Sequence, residues 1–184
     1  MIPGAQWFVA YDPATGDELW RVDHGRGFSN VAAPVFDGQT LYLGTGYGKP
    51  QLWAVRPGGT GDVSETHVGW RESQQVSVKS SPVLSDGRLY MISDGGVATC
   101  LDAATGKQLW RERVPGKYSA SPIVGVGRVY FCSHEGRTTV LADKGEFEVL
   151  AENDLDGMLM ASPAAVGGKL LLRSDQALYC VEGK

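Results

Sequence analysis

One phrase is written four times in this chain. AAPVFDGQTLYLG begins at Ala32, SSPVLSDGRLYMI at Ser80, ASPIVGVGRVYFC at Ala120 and ASPAAVGGKLLLR at Ala161. A second phrase lies between the copies: YDPATGDELW from Tyr11, LDAATGKQLW from Leu101, and a degraded version, LADKGEFEVL, from Leu141. The marker prolines Pro34, Pro82, Pro122 and Pro163 are 48, 40 and 41 residues apart. A period near 40 with about four strand-sized runs per period predicts an all-β fold, the β-propeller. Such a fold is a scaffold and does not by itself fix a chemistry.

Each period reads as four strands, A to D. SSPVLS is strand A, GRLYMIS strand B, VATCLD strand C and KQLWRERV strand D. The pairs Asp37-Gly38 and Asp86-Gly87 fit tight A–B hairpin turns, with Gly127 and Gly168 at the matching places. Proline donates no ladder hydrogen bond and belongs on an edge strand, so strand A is the inner edge of each blade. Asp12, Thr15 and Gly16, like Asp102, Thr105 and Gly106, read as a C–D turn closed by short polar side chains and a glycine of positive φ. Trp20, Trp70 and Trp110 share one place on strand D, taken by Leu150 in the last full copy, and are expected to pack on the neighbouring blade.

The strand count predicts a single partial domain over 1–184. Its blades are approximately 7–26 (partial), 27–73, 74–115, 116–153 and 154–184 (incomplete). About four blades of four antiparallel strands form either half of a 7–8-bladed ring or a ring closed by dimerisation, the N-terminal D strand of one copy completing the last blade of the other. The incomplete edges of such a half demand a partner.

Hydrophobic residues make up 42% of the 184, enough for a packed core, and the 25 glycines suit a turn-dense β fold. The formal charge of −4 and the lack of a Lys/Arg cluster argue against a nucleic-acid partner. No apolar run approaches the ~18 residues of a membrane helix. The opening residues MIPGAQWFVAYD carry neither the basic segment nor the apolar stretch of a signal peptide. Cys100, Cys132 and Cys180 are expected to be buried thiols. Cys100 and Cys180 fall at equivalent places in different blades, too far apart for a disulfide.

The pattern D-x-x-T-G-x-x-x-W, followed by S-P-x and G-x-h-Y with h apolar, resembles the PQQ-like repeat of the quinoprotein-dehydrogenase-like propellers. The resemblance covers nearly the whole chain and is strongest over LDAATGKQLW…YSASPIVGVGRVYF. The propeller subunit of the bacterial outer-membrane β-barrel assembly machinery is built from such repeats, as are many secreted bacterial proteins. The resemblance implies a closed ring of seven or eight blades, of which this chain is about the C-terminal half, and a periplasmic or other extracytoplasmic setting. Enzymes of the superfamily hold pyrroloquinoline quinone with a bound Ca²⁺, carboxylate and amide ligands, and often a disulfide between neighbouring cysteines. This sequence has no vicinal cysteines and no paired Asp or Asn/Glu set, so neither PQQ nor Ca²⁺ is expected.

In a propeller the D–A and B–C loops share one face, and here they vary while the other turns are short and monotonous. Recognition belongs on such a face. The candidates there are Arg26, Phe28, Tyr47, Lys49, Arg71, Gln74, Gln75, Lys117, Tyr118, His134, Glu135, Arg137, Asp154, Asp156, Met158 and Arg173. Tyr, Arg and Met are residue types enriched at interfaces. His24 and His134 fall in the same loops, and His67 lies near Asp62 and Glu65 in the longer second repeat. That spacing matches no metal-ligand pattern. No nucleophile or second carboxylate stands beside His134-Glu135, and no GxSxG, HExxH or phosphate-cradling loop is present. The expected function is a non-catalytic scaffold binding a protein or peptide, in cell-envelope assembly. The alternative is a fragment of a quinoprotein dehydrogenase or of another propeller enzyme, such as a hydrolase working at the channel mouth.

Overall fold

A computed structural model describes residues 1–182; the last two positions of the expected final blade, 183 and 184, lie outside the described residues. The strands up to the second blade are β1 (Ile2–Pro3), β2 (Trp7–Tyr11), β3 (Glu18–Asp23), β4 (Val35–Phe36), β5 (Leu41–Gly44), β6 (Leu52–Val55), β7 (Gly61–Asp62) and β8 (Val68–Glu72). They build two sheets, ordered β1-β2-β3-β7 and β4-β5-β6-β8, in a compact unit spanning Met1–Val78. A second unit begins at Lys79. Its strands are β9 (Val83–Ser85), β10 (Arg88–Ile92), β11 (Val97–Asp102), β12 (Gln108–Arg113), β13 (Ile123–Gly125), β14 (Arg128–Cys132), β15 (Arg137–Ala142), β16 (Val149–Asp154), β17 (Ala164–Val166), β18 (Lys169–Arg173) and β19 (Leu178–Glu182). They form sheets β9 to β12, β13 to β16 and the three-stranded β17-β18-β19. The fold is all-β, a partial propeller in which each sheet is a blade.

The hairpin turns follow from backbone chemistry. Asp102 Oδ1 accepts from the Thr105 amide at 2.8 Å and the Thr105 hydroxyl at 2.6 Å, and Gly106 takes φ 71°. Asp12 Oδ1 accepts from the Ala14 amide at 2.7 Å, and Gly16 takes φ 80°. The four prolines stand one residue ahead of strands β4, β9, β13 and β17, at the edge of each sheet, where no ladder amide is lost. In the second unit β13 lies beside both β9 and β17. The Ser81 amide donates to Ser121 Oγ, and the Ser121 amide to Ser162 Oγ, each at 2.9 Å. These serines precede the prolines and tie three inner strands in series. Ser121→Ala leaves the Ser81 amide without this acceptor and should cost about 1 kcal/mol. A lower urea midpoint at unchanged slope checks it; an unchanged midpoint makes the tie incidental.

Strand D carries a bulge that sequence alignment misplaces. The C–D register slips between Ala10 and Tyr11, Ala54 and Val55, Cys100 and Leu101, and Val140 and Leu141, the same step in all four sheets. Trp20 therefore faces Ala10, Trp70 faces Ala54 and Trp110 faces Cys100. In the fourth sheet the residue facing Val140 is Ala151. Leu150, expected at the tryptophan place, is instead the exposed bulge residue, like Leu19 and Leu109. The connection after β15 is one residue longer than that after β11, Leu141 pairing with Val149 where Leu101 pairs with Gln108, and this moves Leu150 onto the bulge.

Trp20 is buried with Leu43, Trp53, Val55 and Val63. Trp110 is buried with Val129, Phe131 and Leu141 of the next sheet, and its ring meets Phe147 edge-on at 5.2 Å. A polar clasp supports the same junction. Asp143, on the turn after β15, accepts from Ser85 Oγ at 2.5 Å, Tyr90 OH at 2.7 Å and Arg88 Nη2 at 3.0 Å.

The first unit departs from the expected plan in two ways. Ile2–Pro3 already pairs with β2, before the predicted start at residue 7. The C–D connection of the second blade is also not short. The extra residues 56–61, RPGGTG, carry Gly61–Asp62 alongside β3 in a parallel pairing, Trp20 opposite Gly61 and Arg21 opposite Asp62. Both edges of β3 are thus paired, so the expected exchange of this strand between copies would break existing ladders.

Candidate functional site

In the second unit, the loops expected to recognise a partner largely satisfy one another. Glu135 accepts from the Lys117 amide at 3.1 Å, and Asp175 repeats the contact one blade later, accepting from the Met158 amide at 2.7 Å. Burial pushes the Glu135 carboxyl up, but the hydrogen bond from Lys117 and its neighbours outweigh it and hold the group below its usual range. Gly136, at φ 84°, lies so close to the carbonyl of Leu155 that a Cβ has no room. This is a repeated cap, not free variation.

Several candidates therefore change role. Tyr118 is 1% exposed, belongs to the core, and its hydroxyl donates to the Pro115 carbonyl at 3.2 Å. Burial pushes that phenol up to about 12. Arg137 forks onto Asp154 at 2.8 and 3.1 Å and reaches Glu152 at 3.6 Å. The Asp156 carbonyl accepts from Tyr179 OH at 3.1 Å. Lys117, Glu135, Met158 and Arg173 are exposed. Cys100 and Cys132 are buried free thiols, Cys100 pushed to about 11 by burial; Cys180, expected buried, is exposed.

The sequence did not foresee a partner for His134, yet Ser119 Oγ lies 2.8 Å from its Nε2. One blade earlier the same two places hold Lys79 and Asp94, an ion pair at 3.3 Å. A polar tie between successive blades explains both pairs.

The first unit offers a different surface. Phe28, on the loop after β3, and Tyr47, on the loop between β5 and β6, stack at 5.5 Å with 19° between planes. They are 62% and 56% exposed, large for aromatic rings on a free surface. Their backbones are joined, the Tyr47 amide donating to the Phe28 carbonyl at 2.9 Å. Asn30 locks the pair: its Oδ1 accepts from the Gly46 amide and its Nδ2 donates to the Gly4 carbonyl, both at 2.6 Å. A Cβ on Gly46 would overlap the Ser29 carbonyl, and Ser29 itself takes φ 56°. Strain held by several contacts marks a position kept for a purpose. Val31 is 62% exposed beside them in sequence, and Arg26, Lys49, Gln74 and Gln75 are exposed. Arg71 lies on strand β8, its guanidinium 3.8 Å above the Trp53 ring. The sequence signal for the stack is an aromatic following glycine in each loop, GFS and GYG.

A shallow polar cleft of about 470 Å³ lies beside Asp23, His24, Gln51, Ser64, Glu65 and Arg71. His24 packs 4.4 Å from the Phe8 ring with Nε2 3.0 Å from the Gly4 carbonyl, and burial lowers its pKa. Asp62 is engaged by Ser64 and His67 by Thr66. Among the described residues no three His, Cys, Asp or Glu converge as metal donors. Among the same residues no helix is long and apolar enough to cross a membrane.

Residues 5–60 and 51–182 match the family described as outer membrane protein assembly factor BamB. None of the curated proteins matches the chain. Among solved structures, BamB from Moraxella catarrhalis aligns with a TM-score of 0.54 at 12% identity, over 96% of this chain and 66% of its own. A europium-containing methanol dehydrogenase gives 0.56 at 18% identity, over 71% of this chain and 26% of its own. The computationally designed Ika4 protein gives 0.67 at 13% identity, over 91% of this chain and 99% of its own. The chain spans just under two thirds of the first relative and about a quarter of the second. At such identities the likeness is one of fold.

Proposed function

The chain belongs to the family of the outer membrane protein assembly factor BamB, and from that premise we propose that it is a non-catalytic scaffold. It binds a protein or peptide on the D–A/B–C loop edge of its first unit and works outside the cytoplasm in outer-membrane protein assembly. The observation that carries this reading is the Phe28–Tyr47 stack, two exposed rings on a backbone locked by Asn30 and Gly46. Rigid aromatics give contact area at low entropic cost, and hot spots of protein interfaces are rich in them. Arg26 and Lys49, on the same two loops, add positive charge for an acidic surface.

The double variant Phe28→Ala/Tyr47→Ala is expected to lose a defined partner at least tenfold while its melting temperature holds, since neither ring is buried. Undiminished affinity at this site would move recognition elsewhere. The dehydrogenase alternative predicts dye-linked alcohol oxidation on addition of pyrroloquinoline quinone and Ca²⁺; the scaffold reading expects none. A homodimer closing the ring remains compatible with this face, provided it forms without removing β3 from between β2 and β7.

A further inference from the structure

The loop that carries Phe28 rests on a histidine at a place where the second unit uses apolar residues. His24 follows β3, and its amide donates to the Gln6 carbonyl at 2.9 Å. The Val114 amide makes the same bond to the Gly96 carbonyl after β12, and the Leu155 amide to the Gly136 carbonyl after β16. With Val114 and Leu155 at this place, the scaffold needs only an apolar side chain there. The His24 ring packs 4.4 Å from that of Phe8, which is fully buried. Over it lies Gly27, where a Cβ would stand 3.7 Å from the His24 Cε1 and 3.9 Å from Nδ1. The Gly4 carbonyl, 3.0 Å from Nε2, only accepts, so Nε2 carries the hydrogen and Nδ1 the lone pair. Nδ1 is buried with no hydrogen-bond partner. The same Gly4 carbonyl accepts from Asn30, which also holds Gly46, and the Gly27 amide donates to the Ala5 carbonyl at 2.8 Å. One hydrogen-bonded network therefore joins His24 to both loops of the Phe28–Tyr47 stack.

We propose that His24 is a pH-sensitive latch on this stack: protonation of its ring opens the loop 24–31 and separates Phe28 from Tyr47. That the latch regulates recognition rests on the reading of the stack as the binding surface. The added proton falls on Nδ1, the ring nitrogen without a hydrogen, and puts a charge against Phe8 and beneath Gly27. Burial lowers the pKa of the ring, outweighing the Gly4 carbonyl, the His24 carbonyl and Asp23, which favour the charge. Of the other charged groups around it, Glu65 lines the same cleft and favours the proton, whereas Arg71 on β8 and Arg26 on the loop oppose it. A site that holds a proton more weakly closed than open shifts toward open as pH falls. The shift begins near the free histidine value of about 6.5, runs at up to about tenfold per pH unit and ends once the closed form titrates. At pH 7 and above the latch is shut.

The test is amide hydrogen exchange of the whole chain from about pH 7.5 to about pH 5, each rate divided by that of an unstructured peptide so that the intrinsic pH effect cancels. Protection of the Gly27, Gly46 and Tyr47 amides should fall about threefold or more, while the Ser93 amide, bonded to the Val97 carbonyl in the second unit, keeps its protection. His24→Gln keeps a donor for the Gly4 carbonyl, and His24→Leu copies Leu155. Both should give flat protection, and the second serves if the first does not fold. Flat protection in wild type, an equal fall in a folded His24 variant, or an equal fall at Ser93 overturns the proposal. The readout needs no partner, so its failure is distinct from that of the recognition reading, which the Phe28→Ala/Tyr47→Ala variant decides.

Discussion

Replacing Asp143 with alanine is expected to destabilise the second unit by about 3 kcal/mol, the scale for removing one partner from a buried ion pair. The Asp143 side chain is 8% exposed and the Arg88 side chain 20%. Asp143 also takes the hydroxyls of Ser85 and Tyr90. The alanine variant leaves a guanidinium and two hydroxyls in a site built for an anion, so the cost exceeds that of a surface bridge, which is worth about 0–1 kcal/mol. Urea unfolding at pH 7 measures it, and a loss below about 1 kcal/mol would show that water replaces the carboxylate freely.

The same residue gives a pH dependence of known sign. Burial raises the Asp143 carboxyl, but hydrogen bonds from Ser85, Tyr90 and Arg88 outweigh it, and the group sits below its ordinary value. A carboxyl depressed in the folded state adds stability that is fully present above its unfolded value of about 3.9 and is lost as pH falls through the folded value. The stability difference between wild type and Asp143→Asn should therefore be flat above about pH 4 and shrink below it. A difference that shrinks between pH 6 and 8 would assign the dependence to another group.

Trp110→Ala should cost about 3–5 kcal/mol, the range for large-to-small changes at buried aromatics. The ring touches core residues of two sheets and packs on Phe147, so its loss opens a cavity at a junction rather than within one sheet. Leu109→Ala, one residue earlier, is the control. Leu109 is the bulge residue and exposed, and its change should stay within about 0.5 kcal/mol. Equal effects at the two positions would mean that the bulge is misplaced. Urea unfolding followed by circular dichroism separates these cases.

The repeat was legible because each blade reuses the same local devices. Asp102–Thr105–Gly106 and the S-P pairs are short-range instructions, and they read directly as turns and edges. What sequence missed lies one step beyond that range. Leu150 aligns with tryptophan letter by letter, but the connection after β15 holds one residue more than that after β11 and gives that place to Ala151. Tyr118 looked like a loop residue because its neighbours Lys117 and Ser119 are polar; packing turned its ring inward. Gly61–Asp62 pairs with residues 41 positions upstream, a pairing that no local pattern encodes. The candidate face thinned for the same reason. Glu135, Arg137 and Asp154 are polar in sequence and already engaged in space, whereas Phe28 and Tyr47 converge from two loops.

The most direct measurement is site-specific photocrosslinking in a bacterial periplasm. A benzophenone amino acid is placed at Phe28 and, for comparison, at Gln39, an exposed position in the A–B turn beyond the other end of β5. A discrete protein adduct from position 28 and none from 39 is the predicted result. Adducts from 39 alone, or equal diffuse labelling from both, would contradict recognition through the Phe28–Tyr47 loops.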